Sequence, residues 1–215
     1  MSLLTAAICC IGFGTTLFIE SNGFSVSTLN TRPDTFGNYL TSSFAIVFNL
    51  SLLSAGCCLI LAMIAIFFTF PDMLSRYIAI AGATVGLSIL LMGIFPINFI
   101  DWHRKISTLY LLSSFVLHVL CVPDFFKHNS TMSKTVVSLS AIGIVSTVSL
   151  MLQLDWKLLD FPPCDHMDNS FCTVSLSMWV LTHINILWCI TLSLRMRTHI
   201  KQQQSVIMQS HWANL

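Results

Sequence analysis

Apolar runs of roughly twenty residues alternate with short polar interruptions along nearly the whole chain, and the interruptions hold most of the charge. A helix needs about 20 mostly apolar residues to cross the hydrocarbon core of a bilayer. A window of that length finds six runs, at residues 3–19, 43–70, 77–94, 104–122, 135–154 and 172–194. The first is short, yet it lacks the basic leader and small-residue cleavage pattern of a signal peptide and reads as a span. Pro71 closes the second run, because proline inside a helix removes a hydrogen bond and clashes with the preceding turn. The connector from Asp72 to Arg76 is so short that the second and third helices must be antiparallel neighbours. The pattern predicts an all-α fold: one polytopic membrane domain over residues 1–215, a six-helix bundle with connections 20–42, 95–103 and 155–171 on one side and a tail from 195 to 215.

Composition supports that reading. Of 215 residues, 55% are hydrophobic and 9% charged, too apolar for a soluble domain that must cover its surface with polar groups. The net charge of +1 comes without any Lys/Arg cluster, so the chain has no electrostatic footprint for nucleic acid. Orientation follows from the cations. With both termini inside, Arg76, Lys127, Lys134, Arg195, Arg197 and Lys201 fall on the inner side, against Arg32, Arg104, Lys105 and Lys157 outside. Positive residues collect on the cytoplasmic side, so both termini are expected there, in the plasma (inner) membrane of a prokaryote.

The cysteines divide into two groups. Cys9, Cys10, Cys57, Cys58, Cys121 and Cys189 sit in apolar runs, where cysteine acts as a small hydrophobe. Cys164 and Cys172 lie in the polar segment PPCDHMDNSFC. On an oxidising outer side they would close a short disulfide loop; the alternatives are free thiols, or a metal site of Cys164, His166 and Cys172 with Asp165 or Asp168, a spacing that matches no zinc pattern. No metal and no cofactor are expected. Small residues mark helix contact faces in lipid, and Gly82, Gly86 and Gly93 share one face of the third run. That face serves packing within the chain or dimerisation.

The chemistry concentrates between Gly93 and His118. His103, Ser107, Tyr110, Ser114 and His118 recur every three or four residues and so form one stripe on the fourth helix. A polar stripe in a membrane helix turns toward other helices or a wet cavity, because lipid cannot satisfy it. Asn49, Gln153, His183 and Asn185 on other runs are candidate partners. The pattern predicts an outward-opening pocket built from Asp101, His103, Arg104, Ser107, Tyr110, Ser114, His118, Asn49 and His183. A non-enzymatic role follows, binding membrane lipids or a membrane protein partner, with Arg32, Arg104 and Lys105 available to an anionic group. Two alternatives use the same residues. An intramembrane hydrolase would pair Asp101 with His103, although no His-x-x-x-His spacing supplies further ligands. Haem would take His118 and His183 as axial ligands, although the two differ in depth by about 6 Å at 1.5 Å per residue.

The Gly93-Ile-Phe95-Pro96 motif closing the third run, followed by His103 at the start of the fourth, resembles the six-helix membrane proteins grouped as domain of unknown function 998. Ser27-Thr-Leu29, Gly37, Phe48-Asn49 and Ala55-Gly56 are similar to that family's first loop and second helix, and the resemblance covers roughly residues 25–121. It implies a six-span bundle with a structured outer loop between the first two helices, and a remoter similarity in layout to the FRAG/DRAM/Sfk group, associated with membrane trafficking and lipid organisation. It carries over no catalytic residue. The first outer loop, Asn30-Thr-Arg-Pro-Asp-Thr, and the cysteine-bearing last loop depart from the family pattern.

Overall fold

A computed structural model describes residues 30–127, 132–164 and 172–213, the side chains as far as Thr198, together with isolated positions before residue 15. The expected first span, 3–19, therefore falls largely outside the described residues. The remaining five apolar runs are five helices: α1 Ala45–Thr69, α2 Met73–Ile94, α3 Ile100–Phe125, α4 Lys134–Gln153 and α5 Thr173–Ala213. Each is long and apolar enough to cross a membrane, α5 over Thr173–Thr198. A 3-10 helix, Pro33–Gly37, precedes them, and the described residues contain no strand, only an isolated bridge between Asp155 and Asp160.

Where boundaries differ from expectation, local chemistry explains it. The expected connector Asp72–Arg76 is mostly the first turn of α2, because Asp72 caps it by accepting the Ser75 N–H at 3.0 Å. A side-chain cap satisfies one of the orphan amides of a helix start. Asp72 also accepts from Lys127 Nζ at 2.9 Å, tying this corner to the end of α3. Slight burial pushes its carboxyl up, but Lys127 and the Ser75 amide prevail and hold it at about 2. α3 starts before residue 104 and absorbs Pro123 in its last turn, where the lost hydrogen bond is one of the last the helix would make. α5 does not stop at Leu194 but runs to Ala213. Arg, Lys and Gln are good helix formers, so the helix outlasts the apolar run, and the expected tail is largely helical.

α1 and α2 pack closely enough that glycine is required. A Cβ on Gly56 would lie 2.6 Å from the Gly86 carbonyl oxygen and 2.5 Å from the Leu90 nitrogen, and one on Gly93 would lie 2.6 Å from the Asn49 carbonyl oxygen. Gly82 abuts Met63 and Gly86 abuts Ile60, so the glycine face is used within the chain. Below it the five helices share a core of Leu59 and Met63 on α1, Val85 on α2, Leu117 and Cys121 on α3, Val136 on α4 and Trp188 and Leu192 on α5. Large apolar side chains point outward all round, among them Ile46, Leu50, Val145, Leu152 and Leu187, as lipid contact demands.

Replacing Gly56 by alanine puts a methyl against backbone that cannot rotate away. Gly56→Ala is expected to lower unfolding stability in detergent by about 1–3 kcal/mol, while Gly14→Ala, whose added Cβ meets no described atom within 4 Å, changes it little; equal thermal midpoints for the two would contradict the close α1–α2 contact.

Candidate functional site

The 3-10 helix is fastened across one end of the bundle. Phe36, 3% exposed, wedges edge-on between Phe48 of α1 and Trp179 of α5, with ring centroids 6.1 and 6.0 Å away. The Thr31 carbonyl accepts from Ser175 Oγ at 2.7 Å and from Trp179 Nε1 at 2.9 Å. Asn49 Nδ2 donates to the Gly37 carbonyl at 3.0 Å, and the Cys172 N–H donates to Asn30 Oδ1 at 3.2 Å. At the same end Asn98 accepts the Tyr39 N–H at 3.0 Å and donates to Asn38. The sulfurs of Cys164 and Cys172 lie at bonding distance with Cα atoms 5.6 Å apart. Residues 30–44, 95–99, 154–164 and Cys172 thus meet on one side of the bundle.

Where they meet, charge is matched one for one. Arg32 grips both oxygens of Asp34, through Nε to Oδ1 at 3.1 Å and Nη2 to Oδ2 at 2.6 Å, and Arg104 donates from Nε at 3.0 Å and Nη2 at 2.5 Å to the one oxygen Oδ2 of Asp160. Arg32 Nη1 bridges the pairs, 3.6 Å from Asp160 Oδ1. Charge-assisted hydrogen bonds are the strong ones, and the two-oxygen geometry of Arg32–Asp34 adds directional specificity. The α4–α5 connection delivers Asp160 by a tight turn, in which Asp155 accepts the Lys157 N–H at 2.8 Å and Leu159 takes a positive φ of 53°, an uncommon conformation for a residue with a side chain. His103 stands beside this lattice, with Nδ1 3.0 Å from the Phe95 carbonyl oxygen and Nε2 3.7 Å from Asp34 Oδ2. Burial pushes the Asp34 carboxyl up, but His103 and Arg32 outweigh it and hold the group well below the usual carboxylate range. Its folded value lies below the unfolded one, so the stabilisation is present above the ordinary carboxylate range and disappears as pH falls beneath it.

Beneath the lattice opens a cavity of about 160 Å³. Arg32, Asp34, His103, Arg104 and Asp160 line its upper end; Leu52, Val85, Ile89, Leu117, Leu181 and Trp188 line its depth. From Arg104 to Leu117 along α3 is about 20 Å at 1.5 Å per residue. Partway down, Asn185 of α5 crosses to α3, donating to Tyr110 Oη at 2.7 Å and facing His118 Nε2 at 3.1 Å through Oδ1. One side of the cavity is therefore polar for its upper half, and the rest is apolar.

Of the expected pocket residues, Asn49, His103, Arg104, Ser107 and Tyr110 line this cavity, together with Pro96 of the Gly93-Ile-Phe95-Pro96 motif. Gly93 packs on α1 and Phe95 stacks on Trp102 with centroids 5.7 Å apart while its carbonyl accepts from His103. Ser114 and His118 are fully buried behind the wall, His118 filling the space above Gly143. Two expectations need correction. Asp101 is exposed in the first turn of α3 and does not line the cavity; the carboxylate facing His103 is Asp34. His183 is likewise exposed, its Nδ1 bonded to the Trp179 carbonyl one turn back at 2.8 Å, so His118 and His183 do not face each other across a common space. Gln153 bonds Ser149 and Thr173 rather than the stripe, and Lys105 lies over the Trp102 ring. Asp165, His166 and Asp168 lie outside the described residues. Among the described residues no three His, Cys, Asp or Glu side chains converge on a metal position. Sequence reasoning missed Asp34 and Asp160 because each lies in a connection more than fifty residues from its α3 partner, where no periodicity relates them.

The geometry limits the chemistry. His103 Nδ1 is engaged by the Phe95 carbonyl, and among the described residues no serine or threonine hydroxyl or cysteine thiol is bonded to its Nε2 as the pairing of a nucleophile with its base requires. No family model matches the chain, and no match to it is found among curated proteins or solved structures.

The lattice can be weighed by a double-mutant cycle on Arg104→Gln and Asp160→Asn, read as unfolding stability in detergent. A coupling of about 1–3 kcal/mol is expected for a part-buried, charge-assisted pair with two hydrogen bonds; a value below about 0.5 kcal/mol would place it with ordinary surface pairs.

Proposed function

We propose that the chain is a six-span membrane protein, with both termini on the cytoplasmic side, that takes the apolar body of a lipid into the bundle cavity and its head at the lattice on the outer side. The observation that carries this reading is the cavity's division into a charged upper end and an apolar depth. On this measure one water needs about 10–15 Å³, so the space is large, and its apolar depth offers water few partners. An apolar chain fits such a space better. The outer location rests on the cation distribution and on the Cys164/Cys172 pair, which stands beside the lattice and is suited to an oxidising compartment. The resemblance to domain of unknown function 998 belongs to the same reading, and it too names no reaction.

The test is to purify the protein from its native membrane and quantify lipid retained per chain. Leu52→Trp and Met178→Trp, which place an indole in the cavity, are expected to reduce bound lipid to about one-tenth or less, equivalent to about 1.4 kcal/mol or more of lost affinity. Val145→Trp, on the exposed face of α4, retains it. Equal retention in all three would contradict a cavity-bound lipid.

A further inference from the structure

The upper end of the cavity carries two acceptor-rich positions that the protein leaves unfilled. Asn49, 3% exposed, donates Nδ2 to the Gly37 carbonyl, which fixes the amide's orientation and leaves Oδ1 without a partner. His103, 6% exposed, must carry its hydrogen on Nδ1, because the Phe95 carbonyl can only accept; its Nε2 has no hydrogen-bond partner, with Asp34 Oδ2 at 3.7 Å lying beyond bonding range. A buried polar atom left unpaired is unfavourable, and both residues line the same cavity.

The surrounding charge restricts what can fill them. Each guanidinium already holds an aspartate through Nε and Nη2. An anionic head at those edges would compete with the carboxylates, and the two pairs together carry no net positive charge to attract it. A cationic head would compete with arginines already in place. A hydroxyl has neither difficulty. It both donates and accepts, so it can donate to Asn49 Oδ1 or Asp34 Oδ2 and can meet His103 Nε2 whether that nitrogen is protonated or not.

Resting on the lipid-binding reading above, we infer that the occupant is an uncharged lipid alcohol, its hydroxyl among Asn49, His103 and Asp34 and its hydrocarbon running past Leu52 and Val85 toward Trp188. Anionic lipids are disfavoured because Asp34 and Asp160 neutralise Arg32 and Arg104, even though these arginines are the features that would suggest an anion site.

Three probes with one chain and different heads test this: oleyl alcohol, oleate and oleylamine, each titrated separately into the delipidated full chain in detergent and followed by native mass spectrometry. Oleyl alcohol is expected to bind at least about tenfold more tightly than the other two, roughly 1.4 kcal/mol. Asp34→Asn, which frees part of the Arg32 fork, moves the preference toward oleate, and Asn49→Leu weakens the alcohol without weakening oleate. Oleate or oleylamine binding as tightly as the alcohol to the unaltered chain would overturn the head-group inference and leave lipid binding standing. If none of the three binds, both fall. The unaltered chain decides the matter even if either variant folds poorly.

Discussion

Two arginines and two aspartates from two connections and the first turns of α3 close one end of this bundle, and everything of functional interest hangs from that closure. Arg32 and Asp34 come from the 3-10 segment, Arg104 from the top of α3 and Asp160 from the turn before α5. No two of these three segments are adjacent in sequence. In a protein whose helices gain little from hydrophobic association in lipid, such polar contacts determine how the helix ends are arranged. They also hold His103 and Asn49 at the top of a cavity that the helices alone would leave open.

Part-buried ion pairs are weak evidence for stability, since desolvation offsets much of their attraction. Their effect here is positional. Phe36, gripped between Phe48 and Trp179, supplies the apolar anchor for the 3-10 segment, and the lattice then orients its charged side chains. A neutral lattice also leaves the cavity top polar without leaving it charged. That distinction separates a site for an uncharged head from a site for an anion.

Much of this architecture was legible in the sequence. Hydropathy located the five described helices, because length and apolarity are read directly from composition. The stripe from His103 to His118 turned inward as its spacing required, and the glycines of α2 marked a real contact face. Helix ends were less legible where polar residues continue a helix. The first turn of α2 is polar and fell below the hydropathy window, although Asp72 three residues before Ser75 is itself a capping signal. The run of glutamines after Arg197 looked like a tail for the same reason. The charged site was the least legible part. Asp101 is two residues from His103 and drew attention, whereas Asp34 and Asp160 meet α3 only through the fold. Arg32 and Arg104 read as a pair open to an anion, because sequence alone does not show that each already holds a carboxylate.

A density map of the protein purified with its native lipid would test the central claim most directly. A cavity-bound lipid would give continuous elongated density running from the level of His103 and Arg104 down past Leu52 and Val85 toward Trp188, with the Arg32–Asp34 and Arg104–Asp160 pairs intact around its upper end. A cavity filled by separate water peaks, or a phosphate-sized head seated directly on Arg32 and Arg104 with the aspartates turned away, would contradict it.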